Sequence, residues 1–338
     1  MKIRDQDLPF LLNDAFATRA DFVDERHEAA FRLFNGFLEG CRELVVDVYG
    51  KTAVIHNYAK SSTSAQSLIV ATQQWLRETL PWLDNIIVKT RHGKTQVEKR
   101  GQVVWQQEGT AVTRHIREHG VRYTVDLTMN RDCSFYLDTR NLRRWAIDNL
   151  ANKTVLNTFA YTGSLGVAAI AGGAKRVVHV DLNRQFLNVA KTSYTLNGFP
   201  INKKDFQTAD FWPRMNKLKR AGEQFDCVFI DPPFFSATSK GVVDLSQNTV
   251  RLINKVRPLV KSGGHIIAIN NAIFYSGQDY MAALNSLCEG GYVEISALIP
   301  APPDFAPPLD KAAHAYVTNP APFNHSTKIA SLTVYHRV

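Results

Sequence analysis

Apolar positions along the first 130 residues keep changing their period. Over 25–37, Ala29, Phe31, Leu33, Phe34 and Phe37 fall near helical spacing, which predicts a mainly helical opening over 1–40. Two short runs rich in β-formers follow at 43–48 and 52–58, with Tyr49-Gly50-Lys51 as a hairpin connection. Small hydroxyl residues at 61–64 mark the start of a helix over 65–80. Strand-like runs return at 86–90, 102–106, 111–117 and 123–127, so this half reads as α+β with mostly antiparallel pairing. From about Thr139 the rhythm becomes helix 139–150, strand 154–157, helix 164–171, strand 176–181 and helix 184–197. Strands at 206–209 and 226–230, a helix at 246–260, a strand at 265–269, a helix at 280–288 and strands at 293–298 and 329–335 complete it. Such alternation implies a doubly wound, mostly parallel sheet. The Pro-rich stretch 300–322 shows no helical pattern, so it is expected to pack as a surface loop and the final strand to run antiparallel. The change of rhythm sets two domains, an N-terminal α+β domain over 1–137 and an α/β domain over 138–338.

Composition narrows the class. A chain of 338 residues, 45% hydrophobic, has room for two ordinary cores. The opening MKIRDQDLPF is charged rather than apolar, which argues against a secretion leader. The longest uncharged run, 154–174, holds Asn157, several hydroxyls and four glycines, the wrong make-up for a membrane span. Cys41, Cys133, Cys227 and Cys288 are scattered without a CxxC or zinc spacing. The expectation is a cytoplasmic protein with reduced thiols, no metal and no membrane partner. The net charge is +9, with +2 on residues 1–150 and +7 on 151–338. Segment 86–122 concentrates Lys89, Arg91, Lys94, Lys99, Arg100, Arg114, Arg117 and Arg122 against three glutamates. A basic field of this kind attracts polyphosphate; an exposed hairpin carrying cations for solubility accounts for it equally well.

Candidate chemistry concentrates in the second half. Asn157-Thr158-Phe159-Ala160-Tyr161-Thr162-Gly163 lies where the first strand of the alternation ends and a helix begins. Glycine there lets backbone approach a ligand, and the helix amino end offers N–H groups. The pattern is not GxGxxG, so a dinucleotide fingerprint fits poorly. Asp181, followed by Leu182, ends the second strand, where a carboxylate can accept hydrogen bonds from a ribose diol. Asp210, followed by Phe211, ends the third, where a carboxylate can meet an adenine amino group. Each acid alone reads as a turn residue; in this order they indicate an adenosyl ligand. Asp231-Pro232-Pro233-Phe234-Phe235 directly follows the apolar strand Cys227-Val228-Phe229-Ile230. Proline has no N–H, so this turn leaves carbonyls outward beside an acid and an aromatic face, which suits a flat, hydrogen-donating substrate such as a nucleobase.

At these residues the chain resembles a class I S-adenosylmethionine-dependent methyltransferase over 138–338, with a Rossmann-like sheet. Phe135-Tyr136-Leu137-Asp138-Thr139-Arg140, the 157–163 turn and the Asp231 motif followed by Ser236 and Lys240 are similar to the large-subunit (23S) ribosomal RNA methyltransferases. Arg32-Leu33, Val46-Asp47-Val48-Tyr49-Gly50 and Val88-Lys89-Thr90-Arg91 look like that family's guanine-N7 branch, and no PUA module of the cytosine branch is recognisable over 1–75. The resemblance implies S-adenosylmethionine held by Asp138, Arg140, Asn157, Phe159, Tyr161, Thr162, Gly163, Asp181, Leu182, Asp210, Phe211 and Asp231, leaving S-adenosylhomocysteine as product. It implies chemistry at Asp231, Pro232, Phe234 and Asn271. For RNA it implies Phe235, Lys240 and Tyr275 beside the base and Lys89, Arg91 and Lys94 on the N-terminal half. Arg143 and Arg144 read as a solvated helix face. Its partner is ribosomal RNA or a ribosomal precursor particle, and a homodimer is compatible with it.

Cytosine C5 needs a Cys thiolate added at C6. In the cytosine branch that Cys follows the fifth strand, where this chain has Ala268-Ile269-Asn270-Asn271-Ala272. Guanine N7 has an in-plane lone pair and needs only positioning and desolvation. The expected reaction is therefore methyl transfer to a base nitrogen, guanine N7 first. An exocyclic base amine, cytosine C5 and a protein or small-molecule substrate are the alternatives. The segment after Lys240 and the Pro-rich stretch depart from the family pattern.

Overall fold

The computed structural model describes residues 7–61, 64–245, 248–306 and 317–336. The chain divides into two units, residues 1–137 with 303–307, and residues 138–302 with 308–338.

The first unit is a five-stranded sheet in the order β1-β2-β3-β4-β5, comprising β1 (Ala30–Phe34), β2 (Leu44–Tyr49), β3 (Thr52–Asn57), β4 (Asn85–Thr90) and β5 (Gln102–Gln106). All neighbours are antiparallel except β3 and β4, which the crossover helix α2 (Gln66–Thr79) joins in parallel. The helix α1 (Leu8–Ala17) buries Leu8, Leu12 and Ala15, and Phe16 meets Trp75 of α2 edge to face, with ring centroids 6.1 Å apart. A short helix α3 (Gln96–Arg100) and a separate hairpin of β6 (His115–Glu118) and β7 (Val121–Thr124) complete the unit.

Three expectations need correction here. The helix expected over 25–37 is not formed; its centre is strand β1. Phe31, Leu33 and Phe34 are all buried because a bulge between Arg32 and Phe34 breaks the two-residue period, leaving apolar spacing that imitates a helix. Helix α2 begins after Ala65 without a side-chain cap, so the hydroxyls before it do not cap it; residues 62–63 lie outside the described residues. The Pro-rich stretch is not wholly a surface loop. Asp304 is buried, accepting the Arg32 N–H on Oδ2 at 2.9 Å and the Asn35 amide on its carbonyl at 2.7 Å. Phe305 lies 4.2 Å from the Arg32 guanidinium, and residues 307–316 lie outside the described residues.

The second unit follows the expected alternation. Helix α4 (Arg140–Asn149) leads to β8 (Thr154–Thr158), α5 (Ser164–Ala171), β9 (Arg176–Asp181), α6 (Arg184–Leu196) and β10 (Phe206–Thr208). Then come α7 (Phe211–Arg220), β11 (Phe225–Ile230), a hairpin of β12 (Phe235–Thr238) and β13 (Gly241–Asp244), α8 (Thr249–Val256) and β14 (Val260–Asn270). Helix α9 (Gly277–Cys288), β15 (Val293–Ile299) and β16 (Lys328–Val334) end it. The seven strands lie in the order β10-β9-β8-β11-β14-β16-β15. Six point the same way, and β16 alone runs against them, antiparallel to both β14 and β15. Helix α7 and the β12–β13 hairpin have no counterpart in the sequence expectation. Trp212-Pro213 reads as a breaker, yet proline is tolerated in a first helical turn, and Asp210 caps this one by accepting the Trp212 N–H at 3.0 Å.

Candidate active site

From β8 the chain moves outward through β9 to β10, then returns across β8 to β11. The crevice at the carboxyl ends of β8 and β11 is thus the topological switch point, where doubly wound sheets bind ligands. Because β8, β9, β10, β11 and β14 are parallel, the residues following each of them emerge at one edge. These are the 159–163 turn, Asp181-Leu182, Asp210, Asp231-Pro232 and Asn271.

The turn after β8 is held in an uncommon backbone. Phe159 and Tyr161 both have left-handed φ, +52° and +48°, a strained choice for aromatic residues and a frequent mark of ligand-binding turns. Gly163 (φ +77°) begins α5, and a Cβ on it would lie 2.5 Å from Ala190 Cβ. Asp181 fastens the turn to the sheet by accepting the Tyr161 N–H on Oδ2 and the Asn183 N–H on Oδ1, each at 2.8 Å. A carboxylate has about four acceptor positions, so two remain for a ribose diol. Burial raises its pKa. Phe159 stacks on the buried Phe211, centroids 4.6 Å apart, and Asp210 accepts from Thr238 Oγ1 at 2.6 Å, tying β12 to the start of α7. Thr162 is buried and Leu182 exposed.

Asp231 directly follows the central strand β11. Burial, then the charge of Asp138, pushes its carboxyl up to about 7. Asp138 precedes α4 and accepts from Thr327 Oγ1 at 2.6 Å; no ion pair reaches either acid among the described residues. The next residue, Lys328, is buried and donates to the carbonyls of Ala272 (3.1 Å) and Ser326, so consecutive residues where β16 begins anchor Asp138 and the loop after β14. Burial lowers the Lys328 pKa to about 8. Two uncompensated carboxylates in a crevice are unfavourable alone, and a ligand carrying a sulfonium and an ammonium relieves them. On this ground the residues present fit S-adenosylmethionine, and Asp138, Asp181, Asp231 and the 159–163 turn are the ones that would hold it.

Several expected site residues stand elsewhere. The Asn157 side chain points into the core, its amide 3.4 Å from Nδ1 of buried His179, and not into the crevice. His179 also meets the Tyr194 hydroxyl at 3.0 Å, and burial lowers its pKa to about 3. Arg140 is buried at the start of α4. Arg143 is no solvated residue: it is fully buried and donates to Thr139 Oγ1 at 2.7 Å, whereas Arg144 is exposed and pairs with Asp148. Pro232 is buried; Phe234, Phe235 and Lys240 are exposed. Tyr275 is half-buried with its hydroxyl on the Asp279 carbonyl, so the open ring of that loop is Phe274, 76% exposed beside exposed Ile273. Of the asparagine pair, Asn271 is exposed, while Asn270 is buried, donating to the Leu245 carbonyl and accepting the Ala272 N–H. In the first unit Arg91 and Lys94 are exposed, but Lys89 is 2% exposed and its ammonium donates to the carbonyls of Arg100, Asn130 and Asp132. That ammonium is unavailable to RNA. Sequence reasoning missed Thr327, Lys328 and Phe274; only Phe274, an aromatic residue just past an apolar strand, carried a signal.

A seven-stranded sheet of this order, with carboxylates gathered at its switch point, defines a Rossmann-like class I methyltransferase fold. Residues 74–317 match the model of the S-adenosylmethionine-dependent methyltransferases, and the chain belongs to that family. It is 32% identical over 238 residues to ribosomal RNA large subunit methyltransferase K/L of Pseudoalteromonas translucida, covering 68% of this chain and 32% of that protein. It is 28% identical over 250 residues to ribosomal RNA large subunit methyltransferase I of Klebsiella pneumoniae, covering 72% of this chain and 62% of that one. The chain thus spans about a third of the length of the K/L relative. The fold superposes with a TM-score of 0.84, at 23% identity, on a protein assigned as a methyltransferase and crystallised with SAH, covering 99% of this chain and 83% of that one.

Proposed function

We propose that this protein methylates a base nitrogen of large-subunit ribosomal RNA, guanine N7 foremost. The observation that carries the choice of atom is the position of the thiols. Cys41 and Cys133 are buried in the first unit, Cys227 is buried within β11, and Cys288 lies on α9. Burial pushes the Cys133 thiol up to about 12 and the Cys227 thiol higher still. None lies in the 271–276 loop directly after β14, so the covalent adduct that C5 methylation of cytosine requires has no nucleophile there. Guanine N7 needs none. Asp231 meets the Watson–Crick edge or amino group of the base, and the exposed rings of Phe234 and Phe274 offer faces to stack on. Asn271 offers its amide to O6. Bound S-adenosylmethionine supplies an activated methyl group, so the protein has only to align the acceptor nitrogen in line and exclude water. The names of the K/L and I relatives support ribosomal RNA as the class of substrate.

Nucleoside mass spectrometry of ribosomal RNA from cells with and without the gene tests this. Loss of 7-methylguanosine, restored by the wild-type protein and not by Asp231→Ala, is the expected result. Loss of 5-methylcytidine contradicts the thiol argument. Loss of an N6-methyladenosine or N2-methylguanosine moves the target to an exocyclic amine.

A further inference from the structure

The first unit carries a small cleft of its own, lined by His56, Tyr58, Arg91, Lys99, Arg131 and Asp132. Its walls follow from the topology. Strands β3 and β4 are parallel and end in register at Asn57 and Thr90, so the next residues, Tyr58 and Arg91, emerge side by side. The Arg91 N–H donates to the Asn57 carbonyl at 2.9 Å. Lys99 comes from α3, whose start is set by a capping box between Thr95 and Glu98. The buried ammonium of Lys89 assembles the remaining wall, donating to the Arg100 carbonyl at the end of α3 (2.6 Å) and to the Asn130 carbonyl beside Arg131 (2.8 Å). At the floor, His56 Nε2 lies 3.0 Å from Asp47 Oδ2. Arg32 keeps Asp47 ionised, so that nitrogen donates.

The cleft therefore gathers three cations, exposed Arg91 and Arg131 and half-buried Lys99, around one acid, Asp132. Arg91 reaches Asp132 only at 3.7 Å, and neither Lys99 nor Arg131 has a carboxylate partner among the described residues. The free volume of the cleft is ≈ 10 Å³, enough for one water or one phosphate oxygen but not for a base. The Tyr58 ring, 42% exposed, lies beside it with its centroid 6.3 Å from that of His56. A base thus has a face to stack on outside the cleft.

We propose that this cleft grips one backbone phosphate of the RNA through Arg91, Lys99 and Arg131, with an adjoining base stacked on Tyr58. The proposal rests on the RNA reading above and adds where the first unit holds that RNA. Phosphate contacts of this kind set register and affinity and carry no sequence information. The test is binding of ribosomal RNA, taken from cells lacking the gene, by wild-type protein, Lys99→Gln/Arg131→Gln and Tyr58→Ala across a salt series. Thermal melting checks that each variant is folded. The double variant is expected to bind about tenfold more weakly, with the slope of log affinity against log salt smaller by about 1. Tyr58→Ala is expected to lose about tenfold with an unchanged slope. S-adenosylmethionine affinity should hold in both. Unaltered RNA affinity and slope in the double variant, with wild type still methylating ribosomal RNA, overturns the cleft alone. Wild-type protein that neither binds nor methylates ribosomal RNA overturns both readings. Weakened binding to ribosomal particles with naked RNA unaffected assigns the cleft to a protein surface and overturns the phosphate assignment.

Discussion

Each unit sets a carboxylate among packed neighbours, Asp47 buried and Asp231 half-buried, and the two are treated in opposite ways. In the first unit Asp47 is surrounded by its partners: Arg32 Nε at 2.8 Å and His56 Nε2 at 3.0 Å. Burial opposes its charge, but these partners win and hold it well below the ordinary carboxylate range. In the second unit Asp231 has burial and a second acid, Asp138, as its neighbours and is pushed up to about 7. Where a buried acid is fully compensated it serves the fold. Where an acid is left uncompensated in a crevice, as Asp231 is, a ligand bringing positive charge would relieve it.

Substitutions separate the two roles. Asp231→Ala should lower methyl transfer by ~10³-fold, a loss of the size expected when a group contacting the reacting centre is removed. Radiolabel transfer from S-adenosylmethionine to RNA measures it, and a loss under tenfold would remove Asp231 from the chemistry. Asp47→Asn should instead cost about 3 kcal/mol of stability, because Arg32 keeps its charge in a buried setting without its counter-ion. Urea unfolding reads that loss.

The pH dependence of stability should carry opposite signs for the two acids. The folded pKa of Asp47 lies below its unfolded value near 3.8, so its contribution is present above pH ~4 and lost as pH falls further. The folded pKa of Asp231 lies above that value, so its contribution is complete below pH ~4 and is lost as pH rises through about 7. In the absence of cofactor, Asp231→Asn should flatten the melting temperature between pH 4 and 7 and raise it at pH 8 by ~2–4 °C. A wild-type curve as flat as the variant's would deny that Asp231 is uncompensated. The smallest effect belongs to the rim. Phe274→Ser should raise KM for RNA about fivefold, in line with the loss of one stacked base, and change stability by less than ~0.5 kcal/mol.

The same division decides what could be read without coordinates. In the second unit, short β-runs alternating with amphipathic helices specify the sheet, and acids placed after the apolar runs reach its carboxyl edge wherever the strands are parallel. Helix α7 escaped because Pro213 reads as a breaker when its place in the first turn is unknown. The first unit was harder. Strand β1 is buried on both faces and carries a bulge, so its period gives no guidance. Lys89 looks like one more cation of a basic run; only the folded carbonyls of Arg100, Asn130 and Asp132 turn it into an internal strut. Asp304 and Phe305 lie 272 and 273 residues from Arg32 in sequence, a distance at which no local pattern can announce contact. Asn270 and Asn271 are chemically identical, but the first is the buried last residue of β14 and the second the exposed first residue of the loop after it.

We propose that Asp231 and its crevice deliver methyl to a base nitrogen without a thiol. This is tested most directly by incubating purified protein and isotope-labelled S-adenosylmethionine with ribosomal RNA from cells lacking the gene, then locating the label by nucleoside mass spectrometry. Label on guanine N7 with wild-type protein, absent with Asp231→Ala and retained when all four cysteines are replaced by Ser or Ala in a folded variant, is the predicted result. Label on cytosine C5, or its disappearance on removal of any one cysteine, would contradict the account.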